Sequence, residues 1–163
     1  MSRSASQESL TRLSLLDRLL DEDPSVSEEV PLSKVQRARQ AQGAIRRDLQ
    51  DLLNTRYRCL AWPPQLDQLP DSLINYGIPD FTAAGLDMAT EEDTMLSAIK
   101  HAIRTFEPRL IDVSVTSAGS GHYDRILRFR IEATLLLENE RLPLRYETQM
   151  ESATGQFQVG DDI

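Results

Sequence analysis

The hydrophobic period of this chain changes at Pro108, and that change decides the fold class. Before it, Met95, Leu96, Ile99, Ala102, Ile103 and Phe106 recur at helical spacing. Thr90, with Glu91, Glu92 and Asp93 behind it, supplies an acid-rich N-terminus for this helix. After Pro108 the pattern becomes one of strands. Leu110, Ile111, Val113 and Val115 lead to a turn rich in Gly119, Ser120 and Gly121. A second strand is expected over about 125–137, where Ile126, Phe129 and Ile131 stand among arginines. A turn at Glu138 to Glu140 precedes a strand near 142–150 with Pro143 at its start, and a last short strand includes Phe157 and Val159. Helices followed by an antiparallel meander make an α+β fold, with three to four strands and the helices packed on one face.

Upstream, Ser33 is placed to cap a helix reaching about Asn54, with Val35, Ala38, Ile45, Leu49 and Leu52 as its apolar stripe. Residues 59–90 are loop-rich, and Leu73, Ile74, Tyr76, Ile78 and Phe81 are expected to pin that loop to the body. The first 30 residues read as a flexible arm carrying a short amphipathic helix, with Leu10, Leu13, Leu16 and Leu20 at helical spacing and the run Asp21 to Pro24 ending it. Such a helix is too short to be stable alone in water. It docks on its own domain or on another protein, and both readings stand. Residues 31–163 are expected to form a single α+β domain.

Charge narrows the partners. The chain of 163 residues has a formal net charge of -8, which opposes phosphate backbones and anionic lipids. No nucleic-acid partner and no membrane insertion is expected. Acid and base are segregated, with seven acidic against three basic residues through Ser33, and two against seven from Lys34 to Arg58. The basic helix suits a solvated face or an acidic protein partner. Cys59 is the only cysteine, so no internal disulfide forms and no thiolate zinc cluster is expected. With no secretory signal or membrane-length apolar run, the expected address is the cytoplasm.

A search for chemistry returns little. No phosphate-cradling or dinucleotide glycine pattern is present. His101 falls on a helix and His122 in a glycine-rich turn, neither with metal-ligand spacing. Carboxylates are abundant, but nothing fixes two of them across a cleft as glycoside hydrolysis requires. No catalytic, cofactor-binding or metal-binding residue is assigned, and the chain does not read as an enzyme.

One corner is unusual. In 106-FEPRL-110, Pro108 ends the helix because it lacks an N–H and drives the preceding residue out of helical geometry. Arg109 is a cation beside the negative helix end. Glu107 is the misfit, since a carboxylate is disfavoured there. It pairs with Arg104, Arg109 or a strand arginine such as Arg128, or it serves a docking contact.

Four stretches, 15-LLDRLL-20, 46-RRDLQDLLNTR-56, 72-SLINYGIPDF-81 and 106-FEPRL-110, give the sequence a family likeness. In their order and spacing the chain resembles the TssE family, the baseplate wedge subunits of bacterial type VI secretion systems, and the related wedge protein of contractile phage tails. The family's Glu-Pro-Arg maps without substitution onto Glu107, Pro108 and Arg109. The resemblance implies a cytoplasmic structural protein, assembled at the inner face of the cytoplasmic membrane, that joins other wedge subunits to the first ring of sheath subunits and enables sheath polymerisation. It implies strand addition at a sheet edge as the sheath contact, and Glu107, Pro108 and Arg109 as an assembly contact. Leu13, Leu16 and Leu20 are expected to dock on the wedge complex. Charge reversal at Glu107 or Arg109 is expected to abolish assembly and leave the monomer folded. Two other readings accompany this one: a lysozyme-like peptidoglycan glycosidase, and a soluble anti-adaptor of the same fold.

Overall fold

The structure, a computed structural model, describes residues 33–57, 63, 65–81, 88–120, 126–137 and 140–160. The arm at 1–30, with Leu13, Leu16 and Leu20, lies outside the described residues, as do Cys59 and His122.

Helix α1 spans Lys34–Asn54 and begins where the sequence places its cap. Ser33 Oγ accepts from the Gln36 N–H at 3.3 Å, and Gln36 Oε1 accepts from the Ser33 N–H at 2.9 Å. This reciprocal box satisfies two donors that a helix N-terminus otherwise leaves open. The buried face is Ala41, Ala44, Ile45, Leu49, Leu52 and Leu53. Val35 departs from expectation at 62% exposed, because the helix meets the core only from Ala41 onward.

Helix α2 spans Met88–Phe106, starting two residues before Thr90. Met95, Ile99, Ala102 and Ile103 are buried on it. The sheet has four antiparallel strands in the order β1-β2-β3-β4: β1 (Leu110–Ser120), β2 (Ile126–Leu137), β3 (Glu140–Glu151) and β4 (Gln156–Val159). Successive side chains alternate between faces. Phe129, Ile131, Ala133 and Leu135 of β2, Leu144, Tyr146 and Met150 of β3, and Phe157 and Val159 of β4 join the helix residues in one core. Each fully buried leucine, isoleucine or phenylalanine contributes about 1.5–3 kcal/mol. The other face carries cross-strand ion pairs, Arg130 Nε to Glu147 Oε1 at 2.6 Å and Arg145 Nε to Glu132 Oε1 at 3.1 Å, each between register partners. An α+β fold with its helices on one face of the sheet is what the change of period implied.

Strand limits differ from the sequence reading for physical reasons. β1 runs through Gly119, which sits at positive φ (+94°) beside a register shift rather than in a turn. β3 begins before Pro143. β4 pairs only with Thr148 to Glu151, so β3 is an edge strand at Pro143. The Gly160 N–H donates to Glu147 O at 2.9 Å, so odd-numbered β3 residues direct their backbone groups away from β2. Pro143 therefore removes no ladder hydrogen bond.

The loop before α2 is pinned by fewer residues than its composition suggests. Ile78 is fully buried and forms a parallel bridge with Arg56, where Ile78 N donates to Thr55 O at 3.0 Å and Tyr57 N to Ile78 O at 3.3 Å. Gly77 makes this approach possible: its φ is +114°, and a Cβ there would lie 2.3 Å from Thr55 O. Tyr76 packs edge-on against Phe106, with centroids 5.3 Å apart. Leu73 and Ile74 are instead 83% and 63% exposed, because the 3-10 turn Leu73–Asn75 turns them outward.

Candidate interaction site at the helix to strand corner

The corner after α2 is held by charge. The Glu107 N–H donates to Ile103 O at 2.9 Å, so the backbone is still helical there. Pro108 and Arg109 then form a turn closed by Leu110 N donating to Glu107 O at 3.1 Å. That turn folds Arg109 back over Glu107. Arg109 Nε donates to Glu107 Oε1 at 2.5 Å and Nη2 to Glu107 Oε2 at 2.5 Å. The same Nη2 also donates to Asp48 Oδ2 on α1. Glu107 is 5% exposed, and the Arg109 side chain is largely covered.

This answers what the glutamate does at a helix end that disfavours it. The guanidinium supplies the positive charge the end lacks, in the fork geometry that matches a carboxylate. Burial alone lowers the tendency of Arg109 to stay charged. Hydrogen bonds and charges from Glu107 and Asp48 outweigh that, and its pKa is raised beyond the usual arginine value. The result is a clasp across α1, the end of α2 and the start of β1. Of the expected partners for Glu107, Arg109 is the one bonded, and Asp48 joins as a third member. Pro108 is exposed at the apex. A charge reversal at Glu107 or Arg109 is thus a perturbation of the fold as well as of any surface.

The sheet edges differ from each other. At β4, the amides of Gln50 and Asn54 on α1 take the place of a further strand. Gln50 Nε2 and Asn54 Nδ2 donate to Phe157 O at 2.7 and 3.0 Å, while the N–H groups of Phe157 and Val159 donate to Asn54 Oδ1 at 2.9 Å and Gln50 Oε1 at 2.8 Å. Arg56 adds to this seal, donating to Gly155 O at 2.5 Å with its guanidinium 5.4 Å from the Phe157 ring centroid. At β1 nothing comparable occurs among the described residues. The Leu136 N–H donates to Arg109 O at 3.0 Å, so even-numbered β2 residues face β1. The register then turns Ser114 and Thr116 toward β2 and leaves the N–H and C=O of Val115 and Ser117 pointing outward. Among the described residues, no backbone-to-backbone hydrogen bond outside the sheet reaches Ile111 to Gly119, and the Gly119 N–H donates to Ser117 Oγ at 3.3 Å. Register shifts on both sides, one at Asp112 with φ +54°, limit this open edge to a short stretch.

The sequence profile of a family described as Baseplate wedge protein gp25 matches residues 39–140, a span that contains Asp48, the Glu107–Arg109 corner and all of β1. The chain belongs to the gp25 family of baseplate wedge proteins. A chain in the structure of "The baseplate complex from the type VI secretion system" is similar at 19% identity, with a TM-score of 0.49, over 76% of this chain and 97% of that one. No curated protein matches the chain.

In this wedge protein, sequence reasoning found Glu107, Pro108 and Arg109 but missed Asp48, Gln50 and Asn54. Gln50 and Asn54 lie on the polar side of α1, where each reads as a solvated residue, while Asp48 stands one turn from Ile45 and Leu52, beside the apolar stripe. Their spacing at positions 50 and 54 places the two amides one helical turn apart on a single face, which is the signal that was there to use. No helix among the described residues is long and apolar enough to cross a membrane.

Proposed function

We propose that this chain is a structural, non-catalytic component of a type VI secretion baseplate, joining other wedge subunits to the first ring of contractile sheath and enabling the sheath to polymerise. Its place is the cytoplasm, at the inner face of the cytoplasmic membrane. The observation that carries this reading is membership of the wedge family across the span that includes Glu107, Pro108 and Arg109. The edge at Val115 and Ser117 supports a sheath contact by strand addition, since its outward N–H and C=O groups have no backbone partner among the described residues and are what an incoming strand requires. The exposed Pro108 and the clasp beneath it support a wedge contact at the corner. Leu13, Leu16 and Leu20 dock on the wedge complex, so removing residues 1–22 weakens that complex and leaves the melting temperature of the body unchanged.

Ser117→Pro tests the reading. The substitution removes an outward N–H without costing a ladder bond and gives up only the exposed Gly119 N–H to Ser117 Oγ hydrogen bond, so the monomer is expected to stay folded. Tagged wild-type protein purified from its host cells is expected to bring both wedge and sheath subunits, and the variant to keep the wedge subunits and lose the sheath. Retention of sheath by the variant overturns the strand-addition contact. Absence of baseplate subunits from the wild type, together with release of peptidoglycan fragments by the purified protein, overturns the reading in favour of a glycosidase. A stable pair with one soluble regulator and no baseplate favours an anti-adaptor.

A further inference from the structure

The large hydrophobic side chains exposed among the described residues are Val35, Leu66, Leu73, Ile74 and Leu136, and three of these five fall between positions 66 and 74. We propose that this loop is a docking site for an amphipathic helix of a partner protein, with aliphatic side chains on its docking face and lysine or arginine at its margin. One of those aliphatic side chains enters the cavity beside the loop. The site is separate from the β1 edge and from the corner at Pro108. The inference goes beyond the baseplate reading by naming the chemistry of one contact, and does not depend on which assembly supplies the helix.

Four observations converge on that occupant. First, the apolar exposure is held in place. The loop is a run of tight turns, in which the N–H of Leu66 donates to Pro63 O at 2.9 Å, that of Leu69 to Leu66 O at 3.2 Å, that of Ser72 to Leu69 O at 3.1 Å and that of Asn75 to Ser72 O at 2.9 Å. Ser72 Oγ and Asn75 Nδ2 add bonds to Leu69 O at 2.8 and 3.2 Å. Leu73 and Ile74 are therefore displayed from a fixed turn, and little backbone freedom remains to be lost on binding. Clustered apolar exposure of this kind marks interaction surfaces. Second, a cavity of about 100 Å³ lies between the loop and α2, with Tyr57, Pro70, Pro79, Ala98 and Phe106 in its lining. Apolar groups predominate there and no carboxylate, lysine or arginine lines it, which selects an aliphatic side chain over a charged one. Third, the backbone disfavours an incoming strand. The N–H groups of Leu66, Leu69, Ser72, Asn75 and Tyr76 are already used within the loop, and a 3-10 turn offers no extended edge. The partner must bring side chains, and a helix does so with its own backbone bonds satisfied internally. Fourth, the margin is acidic. Asp67 and Asp71 are exposed on the loop, and no lysine or arginine occurs from Cys59 to Thr90. On α2, Lys100 and Arg104 stand outside the cavity lining. A basic margin on the docking helix complements the two aspartates.

The test is photocrosslinking of the full chain in its host cells with Leu73→p-benzoylphenylalanine, and with Val35→p-benzoylphenylalanine as the exposed control. Adducts from position 73 are expected on a segment of another protein with apolar residues at i, i+3, i+4 and i+7 and basic residues at the margin. That segment, made as a peptide, is expected to bind the purified full chain saturably and to shift the amides of Ile74, Gly77 and Ala98. Leu73→Ser with Ile74→Ser alters only exposed side chains, and is expected to retain the melting temperature and weaken the peptide about tenfold or more. Asp67→Asn with Asp71→Asn is expected to weaken it several-fold at low salt and to have little effect at high salt. The proposal is overturned by adducts confined to residues 10–20 of this chain or to a second copy of it, by adducts on an extended segment, or by adducts no more abundant than those from position 35. A peptide whose affinity is unchanged by Leu73→Ser with Ile74→Ser overturns it as well.

Discussion

Arg109 holds Glu107 by two nitrogens at once, Nε on Oε1 and Nη2 on Oε2, each at 2.5 Å, with both side chains largely withdrawn from water. Two charges withdrawn in this way are costly to separate. Arg109→Ala is therefore expected to lose about 3–5 kcal/mol, since it leaves the buried Glu107 carboxylate uncompensated, and Glu107→Ala to lose less, since Asp48 still pairs with Arg109. The pair Glu107→Leu with Arg109→Met is expected to lose much less than either alanine variant. Asp48→Asn, at a side chain 29% exposed, is expected to cost only about 1 kcal/mol. Urea denaturation of the four proteins checks this order.

The amide seal on β4 predicts a local effect. Gln50→Ala with Asn54→Ala removes four hydrogen bonds to β4 and is expected to cost about 2–6 kcal/mol, at about 0.5–1.5 kcal/mol for each net hydrogen bond lost. Hydrogen exchange at Phe157 and Val159 should accelerate by more than that at Phe129, whose strand is paired on both sides. Uniform acceleration across the sheet would mean that the amides support the whole fold rather than the edge.

Tyr76 sets an alkaline limit. Burial first, and then the charges of Asp48, Asp51 and Glu107, raise its pKa above the usual 10.0. The neutral phenol is the form the fold favours. The stability it contributes is fully present below about pH 10 and is lost as pH rises through the higher folded value. Tyr76→Phe is expected to flatten that part of the stability profile, and to remove one late-ionising tyrosinate from the ultraviolet titration.

Gly77→Ala is expected to be destabilising by at least about 1–3 kcal/mol from backbone strain alone, before the clash with Thr55 O is counted. The loop should detach first. Loss of protection at Ile78, ahead of global unfolding, is the corresponding exchange result.

How much of this was legible beforehand depended on whether the partners were local. Ser33 and Gln36 are three residues apart, so the cap and its box could be read directly. The change of period at Pro108 gave the division into helices and meander. Asp48, by contrast, stands 61 residues from Arg109, and its place beside Ile45 and Leu52 on the helix could not name that partner. Val35, Leu73 and Ile74 were misplaced because apolar character was taken to imply burial. Apolar residues also occupy surfaces, and only the path of the backbone decides which ones do. Pro143 was put at a strand start because a proline is excluded from a fully paired strand. The short reach of β4 leaves that stretch of β3 half paired, and this could not be seen before the register was known.

The seal on β4 has a consequence for direction. A helix that spends two amide side chains imitating a neighbouring strand leaves β4 no vacancy, while Val115 and Ser117 face outward on the opposite side. Among the described residues the two edges of the sheet are therefore not interchangeable: the backbone groups of β4 that face away from β3 are occupied by side chains of α1, and those of Val115 and Ser117 on β1 are not.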